Sequence, residues 1–304
     1  MYLSRTCVLV VLISVLMVTT IFAKQDSIET LSLEQAYLNH WFSYDAAEDN
    51  DFSISPLAKD DIGGRAKISF TSDDGQKVNG VIAFPKDEHQ PTKLVLAMHP
   101  MGIDQQFWWS DKSPFVGQDI SRFLRDNGHT VLSLDARQHG ERSRLGFGPR
   151  ELIKRAHSDQ PRVYIDTIIG SVRDYRIAMN WVKDQFQADE VSVVGYSMGA
   201  QMSLLLASYE PSITKIVAMV PPYVASPTSP VAPRIHVRRI TNAKVLWLAG
   251  RADQHSNEEQ TIETFNRIRS VDKNLIWFDA GHRLPSESLS AVTQFFESTR
   301  PGKE

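Results

Sequence analysis

Three residues able to support nucleophilic catalysis occur in the second half of the chain, in the order Ser197, Asp253 and His282. A serine hydroxyl is a weak nucleophile, so it needs a neighbouring base, and an acid must hold that base in the correct tautomer. Ser197 is the centre of a Gly-Tyr-Ser-Met-Gly pentapeptide that lies between an apolar run and a segment with helical spacing. A strand, a sharp turn on a serine and a helix are typical of a nucleophile elbow. The pattern therefore predicts Ser197 as a nucleophile.

The acid and the histidine each follow a later apolar run of the chain. Asp253 comes after residues 245–249, and His282 comes after residues 275–278. In an open α/β sheet, functional side chains gather in the loops at the carboxyl ends of the strands. We therefore expect Asp253 and His282 to lie close to Ser197, as the acid and the base of a triad.

Two other residues are alternatives for these roles, and Asp253 has a structural alternative. Asp279 is the alternative acid. It precedes His282 by three residues, and a carboxylate on the same loop is less able to reach the imidazole from the correct side. His255 is a rival base beside Asp253, but no strand end directly precedes it. Asp253 is also placed to act as an N-cap, because a helical segment starts near Asn257.

A tetrahedral intermediate at Ser197 would need hydrogen-bond donors for its oxyanion. The first expected donor is the backbone N–H of Met198, directly after the nucleophile. The second is expected in the loop after residues 94–98, and we assign it to the N–H of Met101. Pro100 has no N–H group and cannot serve.

The elements that must position these residues are visible as apolar runs without alternation, which favour parallel strands covered on both faces. These runs occupy residues 94–98, 130–134, 191–194, 216–220, 245–249 and 275–278. Helical spacing occurs at 116–127, 163–186, 198–209, 256–270 and 286–299. Before them, residues 66–71 and 78–84 predict an antiparallel hairpin, while 141–162 is irregular and is expected to form a small cap. The pattern predicts one α/β domain with a mostly parallel, doubly wound sheet.

The chain resembles the α/β-hydrolase superfamily of serine esterases and peptidases over residues 65–300. The resemblance is carried by the elbow at 195–199, by residues 99–102, by Gly250 with Asp253, and by Gly281 with His282. The opening hairpin is most similar to the branch of dienelactone hydrolases, acetyl esterases and oligopeptidase catalytic domains.

Residues 135–143 are similar to a loop that many members of this superfamily carry after the fourth strand. Gln138 stands where a glycine is usual in that loop. The loop is structural in the superfamily, so the resemblance implies that His139 is a structural residue and not a base.

The resemblance and the triad together predict a serine hydrolase that acts on a small-molecule carboxylic ester through an acyl-enzyme, with no cofactor and no metal. Trp108, Trp109 and Tyr223 are candidates for the substrate pocket, with plain core or surface positions as the alternative. A peptidase or amidase with the same triad and a catalytically silent binding module are the competing hypotheses.

Composition and the N-terminus define the class of protein further. The 304 residues carry a net charge of −3, and 42% of them are hydrophobic, as in soluble globular proteins. The chain has no excess of basic residues, which would be the sign of a nucleic-acid partner. Residues 1–23 predict a secretory signal peptide and hence a secreted or periplasmic protein, with an uncleaved membrane anchor as the alternative. Residues 24–60 then form an N-terminal extension and 61–304 the hydrolase domain.

The single cysteine, Cys7, lies inside the predicted signal peptide. A chain that starts at Lys24 would contain no thiol, so the prediction excludes a disulfide, thiolate-bound metal and a cysteine nucleophile in the mature protein.

Overall fold

The structure is a computed structural model in which two compact units, Met1–Ser43 and Tyr44–Glu304, are distinguished. It describes residues 36–44, 50–86, 93–111, 116–144, 148–156, 158–226 and 229–298. In the first unit, residues 36–42 are helical. The predicted signal peptide lies outside the described residues. Of the helices in the described part of the chain, none combines the length and the apolar character needed to cross a membrane.

The described part of the second unit contains ten strands in one sheet. The strands are β1 (Ser53–Ile54), β2 (Ala58–Lys59), β3 (Gly64–Thr71), β4 (Lys77–Phe84), β5 (Lys93–Met98), β6 (His129–Leu134), β7 (Glu190–Tyr196), β8 (Ile213–Met219), β9 (Lys244–Gly250) and β10 (Lys273–Phe278). Their order is β1-β3-β4-β6-β5-β7-β8-β9-β10, and β2 pairs with β3 at the side of this path. The β3–β4 hairpin is antiparallel, as the alternating sequence predicted.

The catalytic candidates all belong to the parallel part of the sheet. β4 pairs antiparallel with β6, and from there β6, β5, β7, β8, β9 and β10 run parallel to one another. The carboxyl ends of these six strands therefore lie at one edge of the sheet, where functional loops are expected to meet. The predicted fold class, a mostly parallel sheet that follows an antiparallel hairpin, is confirmed.

Seven α-helices are assigned in the described part of this unit. They are α1 (Gly117–Asp126), α2 (Pro149–Ala156), α3 (Arg162–Phe186), α4 (Met198–Tyr209), α5 (Pro233–His236), α6 (Glu258–Asn266) and α7 (Ser288–Glu297). The residues of α4 from Met198 to Ser208 are all buried, and this helix packs on β5, β7 and β8. Helix α4 is thus a central element, and its first turn has a fixed position beside the ends of these three strands.

Helix α2 corrects the expectation that residues 141–162 are irregular. Pro149 begins the helix, a position at which the missing N–H of proline costs nothing. Leu152 is fully buried, and α2 packs on the long helix α3. The helix has only eight residues and one buried anchor, so the sequence offers few apolar positions from which to predict it.

Candidate active site

The elbow between β7 and α4 holds Ser197 in an unusual backbone conformation. Its φ and ψ angles are 55° and −117°, a region that costs non-glycine residues about 1–3 kcal/mol. The N–H of Ser197 donates to the carbonyl oxygen of Met219 at 2.8 Å, so the turn is tied to the end of β8. The strained serine is therefore held by the sheet itself.

Glycines on either side of Ser197 allow the strand and the helix to approach each other. A Cβ atom at Gly195 would overlap the carbonyl oxygen of Gly199, and one at Gly199 would overlap the carbonyl oxygen of Met98. Both clashes involve backbone, which cannot move aside as a flexible side chain can. The glycine spacing that identified the elbow in the sequence is thus required by close packing.

The structure brings Ser197, His282 and Asp253 together in a hydrogen-bonded series. The Oγ atom of Ser197 lies 2.7 Å from Nε2 of His282. Nδ1 of His282 lies 3.0 Å and 2.9 Å from the two carboxylate oxygens of Asp253. With the proton on Nδ1, the imidazole donates to the carboxylate and presents the lone pair of Nε2 to the serine hydroxyl. This arrangement is the one that general-base activation of a serine requires.

The carboxylate of Asp253 is buried and oriented by the backbone of its own loop. Only 8% of Asp253 is exposed, and its Oδ1 atom accepts the N–H of His255 at 2.8 Å. The loop of Asp253 packs so closely against the loop of His282 that a Cβ atom at Gly250 would overlap the carbonyl oxygen of Gly281. The cap of α6 is Asn257, which forms a capping box with Gln260, so the N-cap alternative for Asp253 is wrong.

The two alternative residues lie outside the hydrogen-bonded series. Asp279 has a side chain that is 95% exposed and lies 3.4 Å from Nε of Arg251. The ring of His255 packs edge-on against the ring of His282, with 4.5 Å between the centroids. Neither Asp279 nor His255 takes the position between the carboxylate and the serine.

The loop that carries Met101 is fixed by the fully buried imidazole of His99. The N–H of Ala136 donates to Nε2 of His99 at 2.9 Å, so the proton of this ring lies on Nδ1 and is donated to the carbonyl oxygen of Pro100 at 2.8 Å. Burial lowers the pKa of His99 to about 3 and keeps it neutral. Met101 and Met198 both line the cavity in front of Ser197. Met198 is the first residue of α4, where N–H groups have no acceptor within the helix.

The loop after β6 is a charged structural element. Arg137 contacts Asp174 and Asp74, and Arg142 donates to Asp174 at 2.7 Å. Gln138 has a φ of 64°, in the region that favours glycine. This conformation is the physical reason why a glycine would suit position 138.

His139 is buried in the same loop, and its Nδ1 atom lies 2.9 Å from the carbonyl oxygen of Arg137. Its ring packs against His99, with 5.3 Å between the centroids. Burial lowers the pKa of His139, so the ring is held neutral in the core of the loop.

A cavity of about 690 Å³ opens in front of Ser197 and is lined by Tyr223, His255 and His282 among others. Much of its wall is apolar. The apolar lining includes Ile103, Ile153, Ala156, Pro161, Ile165 and Val224. The wall therefore combines the loop after β5, α2, the start of α3 and the loop after β8. A pocket role for Ile153 and Tyr164 could not be found in the sequence, because single apolar or aromatic residues on a helix carry no functional signal.

For the two tryptophans the structure favours the core alternative over the substrate pocket. Trp108 is fully buried and Trp109 is 8% exposed, and both belong to a core cluster that also contains Phe107 and Tyr196. A 3-10 helix over Gln105–Trp108, capped by the side chain of Asp104, turns these aromatic residues inward. Tyr223 is the one of the three candidates that lines the cavity.

The fold, with its elbow after β7 and its acid and histidine after β9 and β10, is the α/β-hydrolase fold. The family described as alpha/beta hydrolase fold matches residues 106–295, which is more than half of the chain. The chain belongs to this family.

Solved structures with this fold include several esterases at low sequence identity. Acetyl xylan esterase 1 from Thermoanaerobacterium sp. JW/SL YS485 is 18% identical, with a TM-score of 0.68, and the match covers 86% of this chain and 92% of that one. The acetyl xylan esterase from Paenibacillus sp. R4 is 17% identical, with a TM-score of 0.63 and coverages of 86% and 91%. A cold-adapted esterase from an Arctic intertidal metagenomic library is 17% identical, with a TM-score of 0.62 and coverages of 80% and 99%. No significant match was found among curated proteins.

Proposed function

We propose that this protein hydrolyses carboxylic esters through an acyl-enzyme formed on Ser197. The observation that carries the proposal is the 2.7 Å separation between Oγ of Ser197 and Nε2 of His282, at a strained elbow that opens into a cavity. A hydroxyl in this position can lose its proton to the imidazole as it attacks. The esterase activity named for the three similar structures agrees with this proposal.

The proposed reaction has two halves. Oγ of Ser197 attacks the carbonyl carbon, its proton passes to Nε2 of His282, and Asp253 stabilises the resulting imidazolium. The N–H groups of Met198 and Met101 donate to the oxyanion, each contributing about 3 kcal/mol in comparable enzymes. The imidazolium then protonates the leaving alcohol, and a water molecule activated by His282 hydrolyses the acyl-enzyme, which returns the proton to Ser197.

The cavity lining supports a neutral, largely apolar ester as the substrate class. Among the described lining residues Asp159 is the one carboxylate, and there is no lysine or arginine. An anionic acyl group would therefore meet an apolar wall and a negative charge without a compensating cation. We expect kcat/KM for an ester of butyrate to exceed that for the matching half-ester of succinate at least tenfold.

A fluorophosphonate probe tests the nucleophile directly. We expect stoichiometric labelling of folded wild-type protein, loss of labelling in Ser197→Ala, and nitrophenyl ester hydrolysis that disappears in the same variant. Absence of labelling in folded protein would favour the silent binding module. Equal turnover by Ser197→Ala would overturn the mechanism. A parallel panel of aminoacyl anilides separates the esterase from a peptidase or amidase.

A further inference from the structure

The hydroxyl of Tyr196 connects the elbow strand to the loop that carries His282. Tyr196 is the last residue of β7 and is 1% exposed. Its hydroxyl donates to the carbonyl oxygen of His282 at 2.8 Å and accepts the N–H of Leu284 at 2.9 Å. One side chain thus binds the backbone on both sides of Arg283, directly behind the candidate base.

Strand pairing in the sheet does not join the elbow to the histidine loop, so a side chain makes this connection. Ser197 follows β7, whereas His282 follows β10, and the two strands are separated by β8 and β9. Residues 279–284 are assigned to neither helix nor strand. A base must be held within about 0.5 Å of its productive position by surrounding contacts. The tyrosine hydroxyl supplies such a contact between the nucleophile strand and the base loop.

The ring of Tyr196 is itself fixed. It packs against Phe107 with 5.8 Å between the ring centroids, and it stands edge-on to the ring of His282 at 6.3 Å. Burial raises the pKa of Tyr196 to about 12, so the hydroxyl keeps the proton that it donates to the His282 carbonyl. The donor and acceptor roles of the hydroxyl are therefore constant over the working pH range of a hydrolase.

We propose that Tyr196 is a positioning residue that holds the His282 imidazole at hydrogen-bond distance from Ser197. This inference rests on the proposed function, because its kinetic consequence is a loss of base-assisted attack. Tyr196 is among the residues that line the cavity, but its hydroxyl binds the backbone of the histidine loop. Loss of the hydroxyl alone should therefore affect the chemical step and leave substrate binding nearly unchanged.

Tyr196→Phe tests the proposal by removing one oxygen atom while keeping the ring. We expect kcat to fall at least tenfold with KM within twofold of wild type, and the rate constant for fluorophosphonate labelling to fall by the same factor as kcat/KM. The control is Tyr209→Phe, which removes the hydroxyl of a half-buried tyrosine that does not line the cavity and lies 2.7 Å from Nδ1 of His236. This control should keep kcat within twofold.

Amide hydrogen exchange at Leu284 tests the hydrogen bond from this amide to Tyr196, while the split between kcat and KM separates a positioning role from a purely structural one. In Tyr196→Phe the Leu284 amide should exchange at least tenfold faster, while amides within β9 keep wild-type rates. If Tyr196→Phe does not fold, the exchange rate of the Leu284 amide is measured in the wild-type protein instead. Protection of Leu284 at the level of strand amides supports the inference, and exchange at the rate of an open loop overturns it.

The outcomes separate this inference from the proposed function. If the wild-type protein hydrolyses esters and Tyr196→Phe keeps kcat within twofold, the positioning role fails and the proposed function stands. If the wild-type protein neither labels nor hydrolyses esters, the proposed function fails, and only the exchange measurement still tests the contact between Tyr196 and the loop.

Discussion

Two regions meet at the cavity and are built in different ways. The triad frame, residues 195–199, 250–256 and 279–284, rests on strand ends, glycine contacts and buried hydrogen bonds. The cavity wall, the described residues of 149–165 and 221–230, consists of a short helix, the start of α3 and a proline-containing loop. The frame is therefore specified mainly by backbone geometry, with the Tyr196 hydroxyl as one side-chain link, whereas the wall is specified by side chains. Substitutions in the frame should change folding or chemistry, and those in the wall should change substrate binding.

The largest expected effect is in the frame, from Asp253→Asn. The amide would keep the shape of the carboxylate but would favour the wrong tautomer of His282 and would not stabilise the imidazolium, so we expect kcat to fall by roughly 10³–10⁴-fold. Stopped-flow or steady-state ester hydrolysis measures this change. Asp279→Asn is the matched control on the neighbouring loop, because that carboxylate is exposed and contacts Arg251. Equal losses in the two variants would contradict the assignment of the acid.

A second large effect should appear when a glycine of the frame is compared with a glycine next to the wall. A Cβ atom at Gly199 would overlap the carbonyl oxygen of Met98, whereas one at Gly148, beside the wall, meets no atom within 4 Å. We expect Gly199→Ala to lower the free energy of unfolding by about 3 kcal/mol or more, as overpacking against backbone does. Gly148→Ala should stay within about 0.5 kcal/mol of wild type. Urea denaturation of the two variants measures both values, and similar values would mean that the frame tolerates added volume.

The same contrast explains how much the sequence could predict. The strands, the elbow glycines and the order Ser197, Asp253, His282 leave strong local signals, because each rests on a strand end or a close contact. The cavity wall leaves weak signals in the sequence, because α2 has one buried anchor and its pocket residue Ile153 belongs to no motif. For Trp108 the sequence leaves a pocket and a core position open, because an aromatic residue gives the same pattern in both. The 3-10 helix capped by Asp104 turns its side chain into the core, and this turn is visible only in the structure.

A moderate loss of folding stability is expected at acidic pH, because the imidazole of His99 is buried. Burial lowers its pKa from 6.5 to about 3, so at pH 5 the unfolded chain binds a proton at this site and the folded chain does not. The stability that this group contributes is therefore present above pH 6.5 and is lost as the pH falls toward 3. At pH 5 the loss amounts to about 2 kcal/mol.

The His99→Asn variant isolates this term. Its free energy of unfolding should lie below that of wild type at pH 7, because the bonds to Pro100 and Ala136 are lost or weakened. The gap between the two proteins should then shrink by about 2 kcal/mol at pH 5, since the variant lacks the titrating group. A gap that stays constant between pH 7 and pH 5 would show that His99 is protonated in the folded protein.

The smallest effect should come from the wall and should separate binding from chemistry. Ile153→Ala removes apolar surface from the cavity without touching the triad frame, so we expect KM for a butyrate ester to rise about two- to fivefold with kcat unchanged. Ile262→Ala is matched in exposure, at 42% against 40%, and lies on α6, so it should leave both constants at their wild-type values. A fall in kcat at constant KM for Ile153→Ala would mean that the wall also positions the reacting carbonyl. The division between a frame for chemistry and a wall for binding would then no longer hold.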